Sequence, residues 1–221
     1  FLPRPTQSVP ANEMGYDVQQ HPGFSDRLSR IIFLKRAVNS RVNKQDPHYV
    51  KLGDIPDSMQ QAIVAVEDKR FYAHHGFDFE GIMRAALVNL QSGQIEEGAS
   101  TITQQLVKNT HLTAEKTWSR KFEEAILALK VERAYTKDQI LEMYLNCVYF
   151  GNGAYGVGMA AYKYFDKPVQ ELTLTEAAAL AATLKAPSNY APHIEPENNA
   201  RRRAQVLATM AGEGFLSAEE A

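Results

Sequence analysis

Apolar residues recur at helical spacing along the chain from residue 57 onward. A first stripe occupies positions i, i+3, i+4 and i+7, the spacing of one helix face, and consists of Met59, Ala62, Ile63 and Val66. A second stripe ends before Gly93, a residue type that commonly terminates helices, and consists of Phe79, Ile82, Met83, Ala86, Leu87 and Leu90. The two stripes predict two helices, one beginning near Asp57 and one ending at Gly93.

Polar capping residues mark the start of further predicted helices. Thr101 with Gln104, and Thr136 with Gln139, have the spacing of a capping box. The helix after Thr136 is predicted to turn inward Ile140, Leu141, Tyr144, Leu145 and Val148. Other helices are predicted near 113–135, 157–165, 173–185 and 196–211, and 49–52 is the best strand candidate. The predicted fold class is therefore mostly α, in one compact domain.

The long helix predicted over 113–135 carries a carboxylate among cationic and apolar residues. Arg120 and Lys121 precede Glu124 by four and three residues, so the three side chains share one side, and Lys116 lies one turn above Arg120. Its later half is apolar on both sides, with Leu127, Ala128 and Val131 near Glu124 and Trp118, Phe122, Ala125, Ile126 and Leu129 opposite. This pattern predicts a buried helix and a partly buried Glu124. A structural ion pair and a functional carboxylate both fit.

Composition removes several functional classes. The 221 residues carry 24 Lys and Arg against 26 Asp and Glu, a formal charge of −2, which argues against a dedicated nucleic-acid binder. Cys147 is the single cysteine, so an internal disulfide and a multi-cysteine metal site are excluded. The uncharged stretch 143–162 contains asparagines and four glycines. It is typical of helix, loop and helix rather than of a membrane span.

The N-terminal part differs in character from the rest. Residues 1–25 are punctuated by prolines and predict an extended lead-in. Residues 27–44 carry six basic and no acidic side chains among apolar ones. A packed helix with a basic outer face and an amphipathic contact with an anionic membrane surface both fit this pattern. Because the chain begins with Phe1 rather than Met, a targeting or anchoring segment is expected upstream.

Residues 67–76 concentrate reactive side chains at the predicted end of the first helix. Glu67 and Asp68 are adjacent acids, and Phe71, His74 and Gly76 follow within ten residues. The pattern suits a carboxylate held at the edge of a cleft, and a solvated helix end fits the spacing as well. A metal site is disfavoured because the adjacent histidines His74 and His75 do not share a helix face and the HExxH spacing is absent.

Residues 98–108 place hydroxyl and amide side chains at the start of the third predicted helix. The polar members are Ser100, Thr101, Thr103, Gln104, Gln105 and Lys108. A helix N-terminus presents free backbone N–H groups and attracts anions such as phosphate. Plain capping by Thr101 and Gln104 explains the same residues, so both interpretations stand.

Two further patterns have ordinary explanations. Residues 151–156 match GxGxxG, but a nucleotide site needs a preceding strand in a βαβ unit, and a capped helix precedes them here. A glycine turn between two helices is therefore predicted. The basic run 201–203 is predicted to lie on a solvated helix face, because the inward positions of that helix are Val206, Leu207 and Met210.

Five ordered motifs between residues 67 and 190 together resemble the peptidoglycan glycosyltransferase family, the transglycosylase module of class A penicillin-binding proteins and of monofunctional glycosyltransferases. EDxxFxxHxG is complete at 67–76, GxSTITQQ at 98–105 and RKxxE at 120–124. ILExYLN is present at 140–146, followed by the family-like YFGNGAYG at 149–156. APSNY at 186–190 resembles the family's APSxY segment.

The resemblance implies a mostly α, lysozyme-like fold with a large lobe and a smaller membrane-facing lobe. It also implies polymerisation of lipid II into glycan strands by inverting β-1,4 transfer, with Glu67 as the catalytic base and Glu124 as a second essential glutamate. The predicted substrate-binding residues are Asp68, Phe71, His74, Ser100, Thr101, Gln104, Gln105, Lys108, Lys116, Arg120, Lys121 and Asn146. A lysozyme-like glycan-cleaving enzyme and a catalytically silent cell-wall scaffold are the alternatives.

The same resemblance sets expectations for cofactors, partners and location. The sequence requires no cofactor and gives no certain metal ligand, and a divalent cation, Mg²⁺ or Mn²⁺, is left open at Glu124. The expected partners are lipid II, the growing glycan chain, the membrane surface and other cell-wall synthesis proteins. The expected location is the outer face of the bacterial cytoplasmic membrane. Residues 1–50 are predicted to be a lead-in and basic segment, and residues 51–221 the glycosyltransferase domain, either alone or within a longer penicillin-binding protein.

Overall fold

The computed structural model of the chain describes residues 42, 44–92, 100–111 and 118–221. All of them lie within one compact unit, Leu34–Ala221. Regular structure in these residues is helical, and their β-pairing is limited to an isolated bridge between Tyr149 and Tyr155. The prediction of a mostly α fold is confirmed. The predicted structures of residues 1–41, including most of the basic segment, lie outside the described residues.

Nine α-helices are found in the described part of the chain, with short 3₁₀ helices at Leu52–Asp54 and Val169–Glu171. They are α1 (Asp57–Glu67), α2 (Phe79–Ser92), α3 (Ile102–His111), α4 (Trp118–Ala134), α5 (Lys137–Cys147), α6 (Val157–Phe165), α7 (Leu174–Thr183), α8 (Pro187–Tyr190) and α9 (Pro196–Gly212). None of these helices is both long enough and apolar enough to cross a bilayer.

The helices with the most contacts pack in two groups. Helices α1, α7 and α9 contact one another, and α3 packs against α4 and α5. Helix α7 is buried from Ala177 to Thr183, because its run of small side chains lets α1 and α9 approach closely. The inward residues predicted for α5 are all buried, as are Met59, Ala62 and Ile63 of α1.

Both predicted capping boxes are present. The Thr101 N–H donates to Gln104 Oε1 (2.9 Å), and the Gln104 N–H donates to Thr101 Oγ1 (3.1 Å). Thr136 and Gln139 exchange the same pair of hydrogen bonds at 3.0 and 3.3 Å. These reciprocal bonds satisfy backbone donors that the first helical turn leaves unpaired, and they fix where α3 and α5 begin.

The strand predicted at 49–52 is wrong. Side chains of α5 take the place of a neighbouring strand: Asn146 Oδ1 accepts from Val50 N (2.8 Å), and Asn146 Nδ2 donates to Val50 O (2.7 Å). Glu142 Oε2 accepts from Leu52 N at 2.9 Å. The β-branched and aromatic composition correctly indicated extended backbone, but a side-chain amide satisfies it without a second strand.

The apolar stripe of α2 is exposed to solvent rather than packed. Phe79, Met83, Leu87 and Leu90 all lie on one face, and Leu90 is 81% exposed. The opposite side of α2 carries Ala85, which is buried, and Gly81, Arg84 and Val88, which line a cleft described below. Helix α2 therefore presents an apolar face outward while its other side forms a wall of that cleft.

Helix α4 is buried on one face only, which corrects the prediction of a helix buried all round. Glu124, Leu127, Ala128 and Val131 are buried, as the spacing placed them together. On the other side, Phe122 is 71% exposed. The apolar count of the helix overestimated its burial, and the side that carries the buried Glu124 is the one that packs on α3.

The GxGxxG match is a glycine turn between α5 and α6, as predicted. Gly151, Asn152, Gly153 and Gly156 have positive φ angles of 88°, 50°, 67° and 82°. A Cβ at Gly156 would lie 2.7 Å from the Asn146 carbonyl oxygen, so this position needs glycine for space as well as for its φ. The turn makes no dinucleotide cradle because no strand precedes it within the described residues.

Candidate active site

Glu67 is the last residue of α1 and lies in a cleft of about 730 Å³. The helix ends there because Asp68 leaves helical geometry, with a φ of −161°. The described residues that line the cleft come from α1, α2, α3 and α9 and from the segment after α7. Those used below are Glu67, Asp68, Arg84, Ser100, Gln105, Lys185 and Arg202. The predicted position of Glu67 at a cleft edge is therefore the one observed.

The Glu67 carboxylate is desolvated and is held by an amide. Burial raises the pKa of Glu67 above its ordinary value, and the neighbouring Asp68 charge adds to this. Gln105 Nε2 donates to Glu67 Oε2 at 2.8 Å, and this hydrogen bond and the positive charge of Arg202 act in the opposite direction on the pKa. A carboxylate whose pKa is raised in this way is a stronger proton acceptor than an exposed glutamate.

Asp68 and His74 fasten the loop after α1 to the start of α3. His74 Nε2 lies 2.8 Å from Asp68 Oδ2, and the Gly76 N–H donates to His74 Nδ1 at 3.1 Å. His74 Nδ1 is thus an acceptor, so the ring proton is on Nε2. This N–H donates a hydrogen bond to Asp68 Oδ2. Asp68 Oδ2 also accepts from Ile102 N, the first residue of α3, at 3.0 Å. Both side chains are buried, and the contacts shown are structural.

Protein groups occupy the start of α3. Thr101 and Gln104 form the capping box, Asp68 takes the Ile102 N–H, and Thr101 Oγ1 donates to the Gly76 carbonyl at 3.0 Å. Capping therefore accounts for Thr101 and Gln104 in this structure. Gln105 lies one position further along, and it is the residue of this helix that reaches the Glu67 carboxylate.

Glu124 is a buried carboxylate with a cationic partner. It is 1% exposed and pairs with Lys121, one turn earlier on α4. The Lys121 ammonium also donates to Ser100 Oγ at 2.9 Å. Ser100 lines the cleft, and its carbonyl oxygen lies 3.5 Å from Gln105 Nε2. The two glutamates are therefore the ends of one series of contacts through Gln105, Ser100 and Lys121.

The other predicted substrate-binding residues have different surroundings. Phe71 is fully buried, with Lys137 Nζ 4.4 Å from its ring centroid. The Asn146 side chain is hydrogen-bonded to the backbone N–H and carbonyl of Val50. Lys108 is exposed on α3 and is not among the described cleft-lining residues. Lys116 and the side chain of Arg120 lie outside the described residues. Substrate binding by these residues stays a prediction.

Sequence analysis missed Arg202, which lines the cleft rather than a solvated helix face. The signal was present, because Arg202 precedes the buried residues Val206 and Met210 by four and eight positions and so belongs to the same stripe. Lys185 and Arg84 line the same cleft. The cleft that holds Glu67 thus carries positive side chains in addition to the cations predicted from the motifs.

The described residues form no metal site of their own. No group of three or more His, Cys, Asp or Glu side chains in this part of the chain could hold an ion. Glu124 is paired with the Lys121 ammonium. The divalent cation left open at Glu124 stays a prediction.

Comparison with known proteins identifies the class of this domain. Residues 35–211 match the family described as transglycosylase. The match covers most of the chain and includes both glutamates and the cleft residues between them. The chain belongs to the transglycosylase family.

The relatives of this chain are penicillin-binding proteins. It is 49% identical over 172 residues to penicillin-binding protein 1F of Bacillus subtilis, covering 78% of this chain and 24% of that protein. It is 47% identical over 194 residues to penicillin-binding protein 1A of Aquifex aeolicus, covering 88% of this chain and 27% of that protein. The crystal structure of penicillin-binding protein 1A from Haemophilus influenzae matches 78% of this chain and 16% of that chain, with 26% identity and a TM-score of 0.44. The chain spans about a quarter of the length of these two relatives.

Proposed function

We propose that this transglycosylase domain polymerises lipid II, an undecaprenyl-pyrophosphoryl disaccharide-pentapeptide, into glycan strands. The observation that carries the proposal is the Glu67 carboxylate, held by Gln105 in a cleft whose walls carry Lys185, Arg84 and Arg202. A carboxylate supplies the base for a sugar hydroxyl, and the cations suit a substrate that bears pyrophosphate. Family membership and the penicillin-binding relatives support the same substrate class.

The proposed reaction transfers the growing chain to the 4-hydroxyl of an acceptor lipid II. Glu67 takes the proton of that hydroxyl while the hydroxyl oxygen forms a bond to C1 of the donor sugar. The bond between C1 and the pyrophosphate oxygen breaks, and the electron pair leaves with the pyrophosphate. Attack from the opposite face converts the α donor into a β-1,4 link, and Glu67 is left protonated. General-base assistance of this kind contributes about 10²–10⁴-fold.

The leaving pyrophosphate needs positive charge more than it needs a proton. Lys121 is suited to this role because its ammonium lies beside Ser100 at the cleft and its side chain is 43% exposed. The buried Glu124 holds that ammonium in place. We assign Lys121 to the donor pyrophosphate and Glu124 to orienting Lys121. A preorganised cation aimed at developing charge stabilises a transition state with little reorganisation.

The proposal is tested by incubating the protein separately with lipid II and with finished glycan strands. Growth of long strands from lipid II, followed by gel separation of the products, supports polymerisation. The raised pKa of the part-buried Glu67 is also what a general acid requires. Shortening of finished strands without growth from lipid II would therefore replace the proposal with the lysozyme-like alternative.

We further propose that the exposed face of α2 contacts the outer surface of the bacterial cytoplasmic membrane. Phe79, Met83, Leu87 and Leu90 form a continuous apolar stripe with no covering element among the described residues. The stripe lies on the helix that walls the cleft, where a lipid-linked substrate would arrive. Apolar side chains on one helix face are what binding at a bilayer interface requires.

The membrane proposal predicts that Leu90→Glu weakens binding to uncharged phosphatidylcholine vesicles by at least about tenfold, since a buried leucine contributes roughly 1.5–3 kcal/mol. Sedimentation with vesicles measures the partition. Ile194→Glu is the matched control, because Ile194 is also an exposed aliphatic residue but lies after α8. Equal loss in both variants, or no loss for Leu90→Glu, would contradict the assignment of this face.

A further inference from the structure

Tyr144 is a fully buried tyrosine of α5 whose hydroxyl points at the catalytic machinery. Its oxygen lies 3.0 Å from Gln105 Oε1. An amide oxygen can only accept, so the Tyr144 hydroxyl donates. The other end of the same amide, Gln105 Nε2, donates to Glu67 Oε2 at 2.8 Å. Tyr144, Gln105 and Glu67 thus form one directed series of hydrogen bonds that ends on the carboxylate.

We propose that Tyr144 is a positioning residue for the general base: acting through the Gln105 side chain, its hydroxyl orients the Glu67 carboxylate and keeps it ionised before reaction. This inference rests on the proposed function of Glu67. Tyr144 itself is fully buried behind Gln105, and it is not among the residues that line the cleft. Its influence on the reaction therefore passes through the amide.

The direction of the hydrogen bonds explains how Tyr144 acts. A hydroxyl that donates to the amide oxygen polarises the amide, which makes its N–H a stronger donor to a negative carboxylate. A reversed amide would turn its oxygen toward Glu67, and two acceptors would then face each other unless Glu67 were protonated. The observed orientation directs the Nε2–H to the carboxyl, where it stabilises the negative charge of an ionised Glu67. Burial of Glu67 favours the neutral acid, so this hydrogen bond opposes the larger effect of desolvation.

The cleft that holds Glu67 contains six other charged residues, and none of them is changed by a substitution at Tyr144. Asp68 and Lys69 directly follow α1. Asp78 precedes α2, and Arg84 lies on α2. Lys185 follows α7, and Arg202 lies on α9. A Tyr144→Phe substitution leaves all six in place. It removes one hydroxyl from a buried site and adds no charge, so a change in the titration of Glu67 is attributable to the series.

The experiment measures kcat against pH for wild type, Tyr144→Phe, Gln105→Met and the double variant. In Tyr144→Phe we expect the acid limb to move to higher pH by about 0.5–1 unit, because loss of one neutral hydrogen bond favours protonated Glu67. In Gln105→Met we expect about 1–2 units, because a bond to the carboxylate itself is lost. Activity returns in both as the pH is raised. In the double variant, Tyr144→Phe adds no further shift.

Tyr164→Phe is the matched control. Tyr164 is a part-buried tyrosine whose hydroxyl donates to the Phe150 carbonyl at 2.8 Å, outside the series. In Tyr164→Phe, the acid limb of kcat against pH is expected to stay where it is in the wild type. Carbon-13 NMR of labelled glutamate carboxyls gives the Glu67 titration without turnover, with the signal assigned by its absence in Glu67→Gln. A wild type that fails to polymerise would sink the proposed function, while this titration still tests Tyr144.

Three results would overturn the inference. The first is an equal loss of kcat at every pH in Tyr144→Phe with an unmoved Glu67 titration, which would indicate packing alone. The second is a Tyr144→Phe shift of the same size in the Gln105→Met background, which would mean that Tyr144 does not act through the amide. The third is an unshifted Glu67 titration in Gln105→Met, which decides the matter even if Tyr144→Phe does not fold.

Discussion

Glu67→Gln is expected to lose at least about 100-fold of the lipid II polymerisation rate, because glutamine cannot accept the proton of the acceptor hydroxyl. The new amide has nearly the same shape, and its oxygen can accept the hydrogen bond from Gln105 Nε2. We therefore expect the fold to persist. Single-turnover polymerisation of lipid II measures the chemical step, and thermal unfolding monitors the fold.

Glu197→Gln serves as the control for Glu67→Gln. It is the same substitution at an exposed glutamate of α9, which pairs with Arg201 and is not among the described cleft-lining residues. It is expected to change the rate by far less than the Glu67 substitution. Wild-type turnover by Glu67→Gln would remove Glu67 from the role of base, and a collapse of its thermal stability would leave the rate loss attributable to misfolding.

Lys121→Met is expected to weaken lipid II binding by about 10–100-fold, the equivalent of one charge-assisted hydrogen bond. It should also lower the free energy of unfolding by about 1–3 kcal/mol, because the buried Glu124 loses its ion pair with Lys121. Equilibrium binding of lipid II to protein in detergent, together with denaturant unfolding, separates the two effects.

The double variant Lys121→Met with Glu124→Gln distinguishes a binding role of Lys121 from a structural one. It removes the buried negative charge that Lys121 offset, so we expect stability to recover while affinity stays low. Recovery of affinity together with stability would show that Lys121 only stabilises α4. Unchanged affinity in Lys121→Met alone would place the donor pyrophosphate against other cations, such as Arg202 or Lys185.

Local rules predicted the helices well because each depends on residues a few positions apart. Capping at Thr101 and Thr136, the inward stripe of α5 and the glycine turn after it all follow from the sequence within one or two turns. The position of Glu67 at the end of α1 follows in the same way. Motif resemblance then supplied the link between distant segments that local spacing cannot give.

Sequence patterns were insufficient where the structure of a segment depends on which distant residues pack against it. The stripe on α2 correctly predicted a helix, but its spacing alone did not tell whether that face is buried or exposed. Segment 49–52 has strand composition, yet Asn146 meets its backbone instead of another strand. Arg202 shares a stripe with Val206 and Met210, but a charged residue there indicates a cleft only when the packing of α9 against α1 is known.

The buried Asp68–His74 pair has a consequence for how inactive variants are interpreted. It anchors the N-terminus of α3, and α3 carries Gln105 to Glu67. We expect a substitution at His74 to loosen that anchor and to misalign Gln105 against Glu67, although it leaves the proposed base in place. A genetic screen that scores only lost activity would therefore rank His74 beside the proposed proton acceptor.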